Sequence, residues 1–183
     1  RTEMFFDKNT EKLIDIAKIW YKNGQLELRK EYSKSGTTKN KQEWFENGNK
    51  KYEATYLDGI QDGVETKFDV NGGKSEECMF VYGRLTGKCT LWFENGNLNQ
   101  ISMWKNNKNS GITQWFRKDL KTLIRSTNFV DGIQDGLDVE YTEDGETKKA
   151  ESIFDNGIRK QSTFFDKNGI KDQEDIFSKG ILT

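Results

Sequence analysis

A glycine turn recurs every 24 residues along much of the chain. The glycines that show this interval are Gly24, Gly48, Gly72 and Gly96 and, further on, Gly145 and Gly169. Gly145 follows Gly96 by 49 positions, which is two intervals and one extra residue, with Leu120 in the place of a glycine. Self-similarity at a fixed interval is the signature of a repeat protein, in which each repeat stacks mainly on its neighbours.

Two series of aromatic residues follow the same interval. The first series is Trp20, Trp44, Phe68, Trp92, Phe116, Tyr141 and Phe165. The second series is Tyr32, Tyr56, Phe80, Trp104, Phe129, Phe154 and Phe177. The two series alternate about every 12 residues, and a turn follows most of the aromatic residues. A helix would have to pass through a glycine turn every dozen residues, so the pattern argues against helical repeats.

The turns differ between the two series. Asn-Gly or Asp-Gly follows the first series, as in ENG at Glu46–Gly48, and we expect two-residue type I′ hairpin turns there. Longer turns follow the second series, as in LDGIQDG at Leu57–Gly63 and VDGIQDG at Val130–Gly136. The segments between turns have the length and composition of strands, so each repeat is predicted to be a β-hairpin.

The predicted fold is all-β: an elongated, twisted antiparallel meander of about seven 24-residue β-hairpin repeats. Residues 20–183 form the repeat array, and residues 1–19 form an N-terminal capping segment or a degenerate half-repeat. A cap is expected because a terminal repeat exposes the edge of its outer strand. We expect each aromatic series to form a column, one or both columns to form a narrow core, and the other face of the sheet to be charged and wet.

The charge composition limits the classes of partner. Lys and Arg total 29 against 30 Asp and Glu, a net charge of -1, which argues against nucleic acid as the main partner. No apolar run approaches the roughly 20 residues that span a bilayer. The chain begins with Arg1 rather than methionine, so a cytoplasmic location and export after loss of an N-terminal leader both remain open.

The residue types that most catalytic and metal sites use are scarce. The chain has no histidine, which excludes histidine general bases and histidine metal ligands. DGIQDG, at Asp58–Gly63 and Asp131–Gly136, is rich in oxygen ligands but lacks the glutamate that completes a calcium-binding loop, so we expect its aspartates to cap turns. We therefore expect no enzyme, no cofactor and no metal site.

The two cysteines, Cys78 and Cys89, are too few for a disulfide framework. We expect two reduced, half-buried thiols. A cross-strand bridge stays open, because a spacing of eleven residues fixes neither the register nor the geometry.

The order of aromatic and glycine positions resembles the MORN repeat, and the bacterial variant of that family in particular. One matching repeat consists of Tyr56, Gly59, Gly63, Phe68 and Gly72, another of Phe80, Gly83, Gly87, Trp92 and Gly96, and a third of Phe129, Gly132, Gly136, Tyr141 and Gly145. The resemblance covers the chain from about Trp20 to Gly180. Departures occur where Ser35 and Asn107 replace the first glycine, Lys39 and Gln161 the second, and Leu120 the third.

This resemblance implies a generally non-catalytic scaffold that binds a partner protein through its extended sheet surface. Some proteins with such repeats have been linked to membrane lipids, and bacterial variants are described as antitoxin-like or immunity-like. The alternatives that the resemblance implies are therefore an antitoxin or immunity protein that neutralises a cognate toxin, and a scaffold on an anionic membrane surface.

The candidate partner-binding region is the segment Trp104–Arg125, where the turn glycines fail. Its candidate contact residues are Trp104, Trp115, Phe116, Arg117 and Lys118. Departures from a repeat consensus mark either a binding site or simple decay, and the sequence leaves both open. It also leaves open the identity of the partner protein, the face that binds it and the oligomeric state.

Overall fold

The computed structural model describes residues 1–6, 8–9, 15–119, 121–178 and 181–182. Over these residues the chain consists of strands, turns and loops, with no helix. It forms two compact units, residues 1–87 with 94–96, and residues 88–93 with 97–183. The predicted all-β antiparallel meander of hairpins is confirmed, because strands within each unit pair antiparallel with their neighbours in the chain.

In the first unit, consecutive strands pair from β1 to β7. These strands are β1 (Thr2–Glu3), β2 (Asp15–Trp20), β3 (Leu26–Tyr32), β4 (Thr38–Trp44), β5 (Lys50–Leu57), β6 (Ile60–Phe68) and β7 (Lys74–Val81). The next strand, β8 (Arg84–Trp92), contributes residues to both units. Within the predicted cap, Thr2 lies opposite Ile19, while residues 7 and 10–14 lie outside the described residues.

In the second unit, β9 pairs with β10 and β11, and each later strand pairs with the next. These strands are β9 (Leu98–Lys105), β10 (Lys108–Asn109), β11 (Gly111–Phe116), β12 (Leu123–Val130), β13 (Ile133–Tyr141), β14 (Lys148–Asp155), β15 (Ile158–Phe165), β16 (Lys171–Ser178) and β17 (Ile181–Leu182).

The Asn-Gly turns are not of the predicted type I′. At Phe45–Asn49 the N–H of Gly48 donates to the carbonyl of Phe45 (2.9 Å), and only Gly48 has positive φ (91°). This is a type I turn followed by one left-handed residue, a common three-residue hairpin loop. The Oδ1 atom of Asn47 accepts the N–H of Asn49 (3.0 Å), and this local bond favours the turn that forms.

The type I′ turns follow the second aromatic series instead. Asp58 and Gly59 both have positive φ (50° and 82°) and connect Leu57 to Ile60, which lie directly opposite each other. Both central residues have positive φ in four further turns: Tyr82-Gly83, Asn106-Asn107, Asp131-Gly132 and Asn156-Gly157. The second glycine of LDGIQDG, Gly63, lies inside β6 at a register shift.

Small side chains, rather than aromatic rings, fill the most buried positions. Among the described residues the buried set consists of Ala17, Ala54, Cys78, Cys89 and Val139 with Glu65, Thr66, Thr90, Ser102, Thr113, Thr127, Asp138, Ser152, Ser162 and Thr163. No aromatic side chain belongs to this set. The prediction of an aromatic core is therefore wrong, because no second layer covers the described sheet in either unit and a large ring stays partly exposed.

The two aromatic series lie on opposite faces of the second unit. Trp104 of the second series shares a face with Trp115 and buried Thr113, because Trp115 opposes Gln100, four residues before Trp104. Phe116 of the first series follows Trp115 in the strand and points to the other face. That other face also carries Leu137 and Ile153, which oppose each other and are 47% and 44% exposed. Glu151, two residues before Ile153, lies on the same face and pairs with Lys148, so this exposed face mixes charged with aliphatic side chains rather than being charged throughout.

Asparagines in the three-residue loops connect each of these loops to the next one. Asn23 Nδ2 donates to the carbonyl of Glu46 (3.0 Å), and Asn47 Nδ2 donates to the carbonyl of Val70 (2.8 Å). In the second unit Asn97 Nδ2 donates to the carbonyl of Lys118 (2.8 Å). The repeated WFENGN sequence thus supplies both the hairpin turn and a hydrogen bond to the following repeat.

We expect Asn47→Asp to lower the free energy of unfolding by about 1 kcal/mol, because aspartate keeps the acceptor for Asn49 but loses the donor to Val70. Urea unfolding followed by tryptophan fluorescence measures the change. Asn168→Ala is the control, because among the described residues Asn168 Nδ2 donates to Asp166 of the same turn (3.4 Å) and alanine removes this local bond without adding a second carboxylate. An equal effect at both positions would contradict the role of the bond between turns.

Both cysteines are disulfide-bonded, so the expectation of two reduced thiols is wrong. Cys78 lies in β7 and Cys89 in β8, and both are buried. The spacing of the cysteines could not decide between a thiol pair and a bridge, because the strand register determines where each side chain lies.

Candidate functional site

Trp104 and Trp115 share one face of the second unit. Trp115 lies directly opposite Gln100, four residues before Trp104 in β9. Because strand residues advance about 3.4 Å each, the backbone positions of the two tryptophans are separated by roughly 14 Å along the strands. Trp104 Nε1 donates to Ser102 Oγ (2.8 Å), so its ring lies back towards the buried row that contains Ser102 and Thr113.

The other three candidate residues lie apart from this face. Phe116 points to the opposite face, and Arg117 and Lys118 follow it in the loop after β11. Arg117 Nη1 lies 3.6 Å from Glu143 Oε1, and Lys118 is exposed. Within the described part of the chain, the buried Nε atom of Arg117 has no hydrogen-bond partner. Leu120, where the repeat pattern fails, lies outside the described residues.

An ion pair with a buried carboxylate and a partly exposed arginine lies beside Trp115. Arg125 donates from Nε and Nη2 to the two carboxylate oxygens of Asp138 (2.8 and 3.0 Å), and Thr127 Oγ1 also donates to Asp138. The hydrogen bonds to Asp138 raise the pKa of Arg125, so its charge is secured. The guanidinium of Arg125 lies 5.8 Å from the centre of the Trp115 ring. Sequence reasoning missed this pair, because Arg125 and Asp138 meet only through the register of β12 and β13.

The first unit has its own buried carboxylate. Glu65 Oε2 accepts hydrogen bonds from Tyr52 Oη (2.9 Å) and Gln61 Nε2 (2.7 Å). Burial, followed by the hydrogen bonds to Tyr56 and Glu65, raises the pKa of the Tyr52 phenol. The Glu65 carboxylate is thus a hydrogen-bond acceptor that Tyr52 and Gln61 hold in place.

The second aspartate of each DGIQDG accepts a hydrogen bond from the type I′ turn of the next repeat. Asp62 Oδ2 accepts the N–H of Tyr82 (3.0 Å), and Asp135 Oδ2 accepts the N–H of Asn156 (3.0 Å). The carbonyl of the preceding glutamine accepts the next N–H in both units, from Gly83 and Gly157. Over the described residues, no group of three or more acidic or cysteine side chains could hold a metal ion.

A shallow polar groove of about 390 Å³ lies on the first unit. Arg29, Gln42, Glu53 and Thr66 contribute to its lining. Arg29 Nη1 donates to Gln42 Oε1 (3.2 Å), so part of the polar surface is already satisfied within the groove. The groove can accept polar atoms, but it brings together no pair of groups suited to proton transfer.

None of the described residues forms a helix that is long and apolar enough to cross a membrane.

A family model described as the MORN repeat variant matches residues 38–58 and 85–106. Each matched segment contains one whole copy of WFENGN and ends at the first residue of a type I′ turn, Asp58 or Asn106. These two segments are MORN repeats of the variant type. The predicted resemblance is thereby confirmed, and no curated protein matches the chain.

Proposed function

We propose that this protein is a non-catalytic scaffold that binds a partner protein through the surface of its sheet. The observation that supports the proposal is that the rings of the two aromatic series are partly exposed on the sheet rather than buried in a core. Aromatic residues and arginine dominate the binding energy of protein interfaces. Such side chains, held on a regular sheet, suit binding better than catalysis.

The proposed contact region is the face that carries Trp104 and Trp115. Both tryptophans are held by polar contacts, to Ser102 and to Arg125 respectively, so their rings are fixed before a partner arrives. Fixed aromatic rings lose little conformational entropy on binding. Phe116 lies on the opposite face, so a substitution of Phe116 tests whether that face contributes to partner binding.

Trp104→Ala tests this proposal. We expect at least about tenfold weaker capture of partner proteins from the source organism, measured by affinity purification with quantitative mass spectrometry. Phe116→Ala is the matched control and should leave capture unchanged. The thermal midpoint of each variant is measured alongside, because Trp115→Ala would also remove the contact with Arg125. Equal capture by wild type and Trp104→Ala would reject the proposed face.

The same purification separates two finer functions. A cognate toxin as the captured protein would make the scaffold an antitoxin or immunity protein. Binding to anionic vesicles that salt abolishes would make it a membrane-surface scaffold.

A further inference from the structure

Four of the hairpin loops that contain Asn-Gly fall into two groups. In the first group, the loops Tyr21–Gln25 and Phe45–Asn49, the asparagine Oδ1 atom accepts the backbone N–H two residues further on (2.9 and 3.0 Å). The Nδ2 atom of the same asparagine donates to the next loop. Hydrogen bonds therefore hold both ends of the Asn23 and Asn47 amides.

In the second group an aspartate at the start of the loop takes over this role. Asp69 Oδ1 accepts the N–H of Asn71 (2.8 Å) and the N–H of Gly73 (3.1 Å). Asp166 Oδ1 accepts the two corresponding N–H groups in the loop Asp166–Ile170, both at 2.9 Å. The aspartate thus satisfies the backbone, and the asparagine amide of the same loop is not needed for it.

The asparagine amides of the second group are only weakly held. Asn71 is exposed, and within the described part of the chain its side-chain amide makes no hydrogen bond. Asn168 is also exposed, and its Nδ2 atom donates to Asp166 at 3.4 Å, which is long for a hydrogen bond. These two amides can therefore rotate, whereas the amides of Asn23 and Asn47 cannot do so without breaking two bonds.

The backbone nitrogen after each asparagine is a nucleophile within reach of the asparagine side chain. In all four loops this nitrogen belongs to a glycine, whose missing Cβ atom allows a close approach. Its environment is also the same in the four loops, because the glycine N–H donates to the carbonyl of the first loop residue at 2.9–3.1 Å. Hydrogen bonding of the asparagine amide is therefore what distinguishes the two groups.

We propose that Asn71, followed by Asn168, is a site of spontaneous deamidation in the folded protein. The backbone nitrogen of Gly72 forms a bond to the side-chain carbonyl carbon of Asn71, and its proton leaves with the Nδ2 group as ammonia. Water then opens the succinimide ring and leaves aspartate or isoaspartate. Asn23 and Asn47 are protected, because the attack requires a rotation that breaks both hydrogen bonds of the amide.

The reaction alters the hairpin that β6 and β7 form. It adds a carboxylate to the loop that already contains Asp69, and isoaspartate also inserts its Cβ atom into the main chain between the two strands. Because loop length fixes the register of a hairpin, the isoaspartate form disturbs the pairing of Phe68 with Lys74 next to the loop. This chemistry is independent of the binding face proposed above.

Peptide mapping of the folded full chain tests the proposal. The chain is incubated in mildly alkaline buffer, where the backbone nitrogen loses its proton more readily, and is sampled over time. Trypsin places the four asparagines in separate peptides, 23–29, 42–50, 68–74 and 168–171, in which mass spectrometry measures conversion. We expect Asn71 to convert at least about tenfold faster than Asn23 or Asn47, because each hydrogen bond that must break slows the attack several-fold.

The same chain unfolded in urea is the matched control. All four asparagines precede glycine, so without the loops their rates should become similar. Asp69→Phe gives this loop the first residue of Phe45–Asn49, returns the backbone bond to the Asn71 side chain, and should slow conversion of Asn71 several-fold while leaving Asn168 unchanged. Conversion of Asn47 as fast as Asn71 in the folded chain would overturn the proposal. An intact Asn71 after the unfolded chain has converted would overturn it as well.

Discussion

Gly63→Ala should lower the free energy of unfolding by about 2–4 kcal/mol. Gly63 has a φ of 110°, which L side chains rarely adopt, and holding alanine there costs about 1–3 kcal/mol. A Cβ atom added at this position would also clash with Thr55 Oγ1. Thr55 would have to move and lose its hydrogen bond to the carbonyl of Asp62 (2.6 Å). Urea unfolding monitored by tryptophan fluorescence gives the free-energy change.

Gly132→Ala is the control for this prediction. Gly132 also has positive φ (88°), but among the described residues no neighbouring heavy atom lies within 4 Å of the position that a Cβ atom would take there. We expect a loss of about 1 kcal/mol there, from the backbone conformation alone. In a Thr55→Ala background the effect of Gly63→Ala should shrink towards that value. A loss at Gly63 no larger than the loss at Gly132 would contradict the argument from Thr55.

The second large effect is expected from Arg125→Met, which should lower the free energy of unfolding by about 2–3 kcal/mol. The substitution leaves the buried carboxylate of Asp138 with only the Thr127 hydroxyl as a donor. Removing one partner of a fully buried ion pair costs about 3–5 kcal/mol. The expected value is lower because the Arg125 side chain is 42% exposed and solvent screens part of the interaction.

Two further variants isolate the ion pair. Lys148→Met removes the surface ion pair with Glu151 (2.7 Å) in the same unit, and we expect a loss below about 1 kcal/mol. Arg125→Met combined with Asp138→Leu should recover most of the stability, because replacing both partners leaves no unpaired buried charge. A double variant as unstable as Arg125→Met alone would show that lost packing against Trp115, and not the charge, causes the effect.

The candidate site shows which features of a binding surface the sequence pattern can predict. The pattern located Trp104 and Trp115 in strands, and the structure places both on one face. The pattern also grouped Phe116 with them, although adjacent strand residues point to opposite faces. Proximity in sequence is a poor guide to a shared surface in a sheet, because the surface is assembled from residues on different strands.

The turns likewise depend both on local sequence and on contacts with the next repeat. Asn-Gly and Asp-Gly located the hairpins correctly, since both pairs tolerate the φ angles that turns require. The turn type at Phe45–Asn49 differs from the prediction because the Asn47 side chain bonds to Asn49 and to the next turn at Val70. The second of these bonds exists only once the next repeat has packed.

The sequence by itself determined the repeat, the order of strands and turns, and the MORN resemblance, because each is recorded in spacing along the chain. Only the tertiary structure decided which residues are buried and which face each aromatic series occupies. The physical reason is register: a shift of one residue moves a side chain to the other face, and the bulges near Gly63 and Phe116 fix that register through contacts between strands.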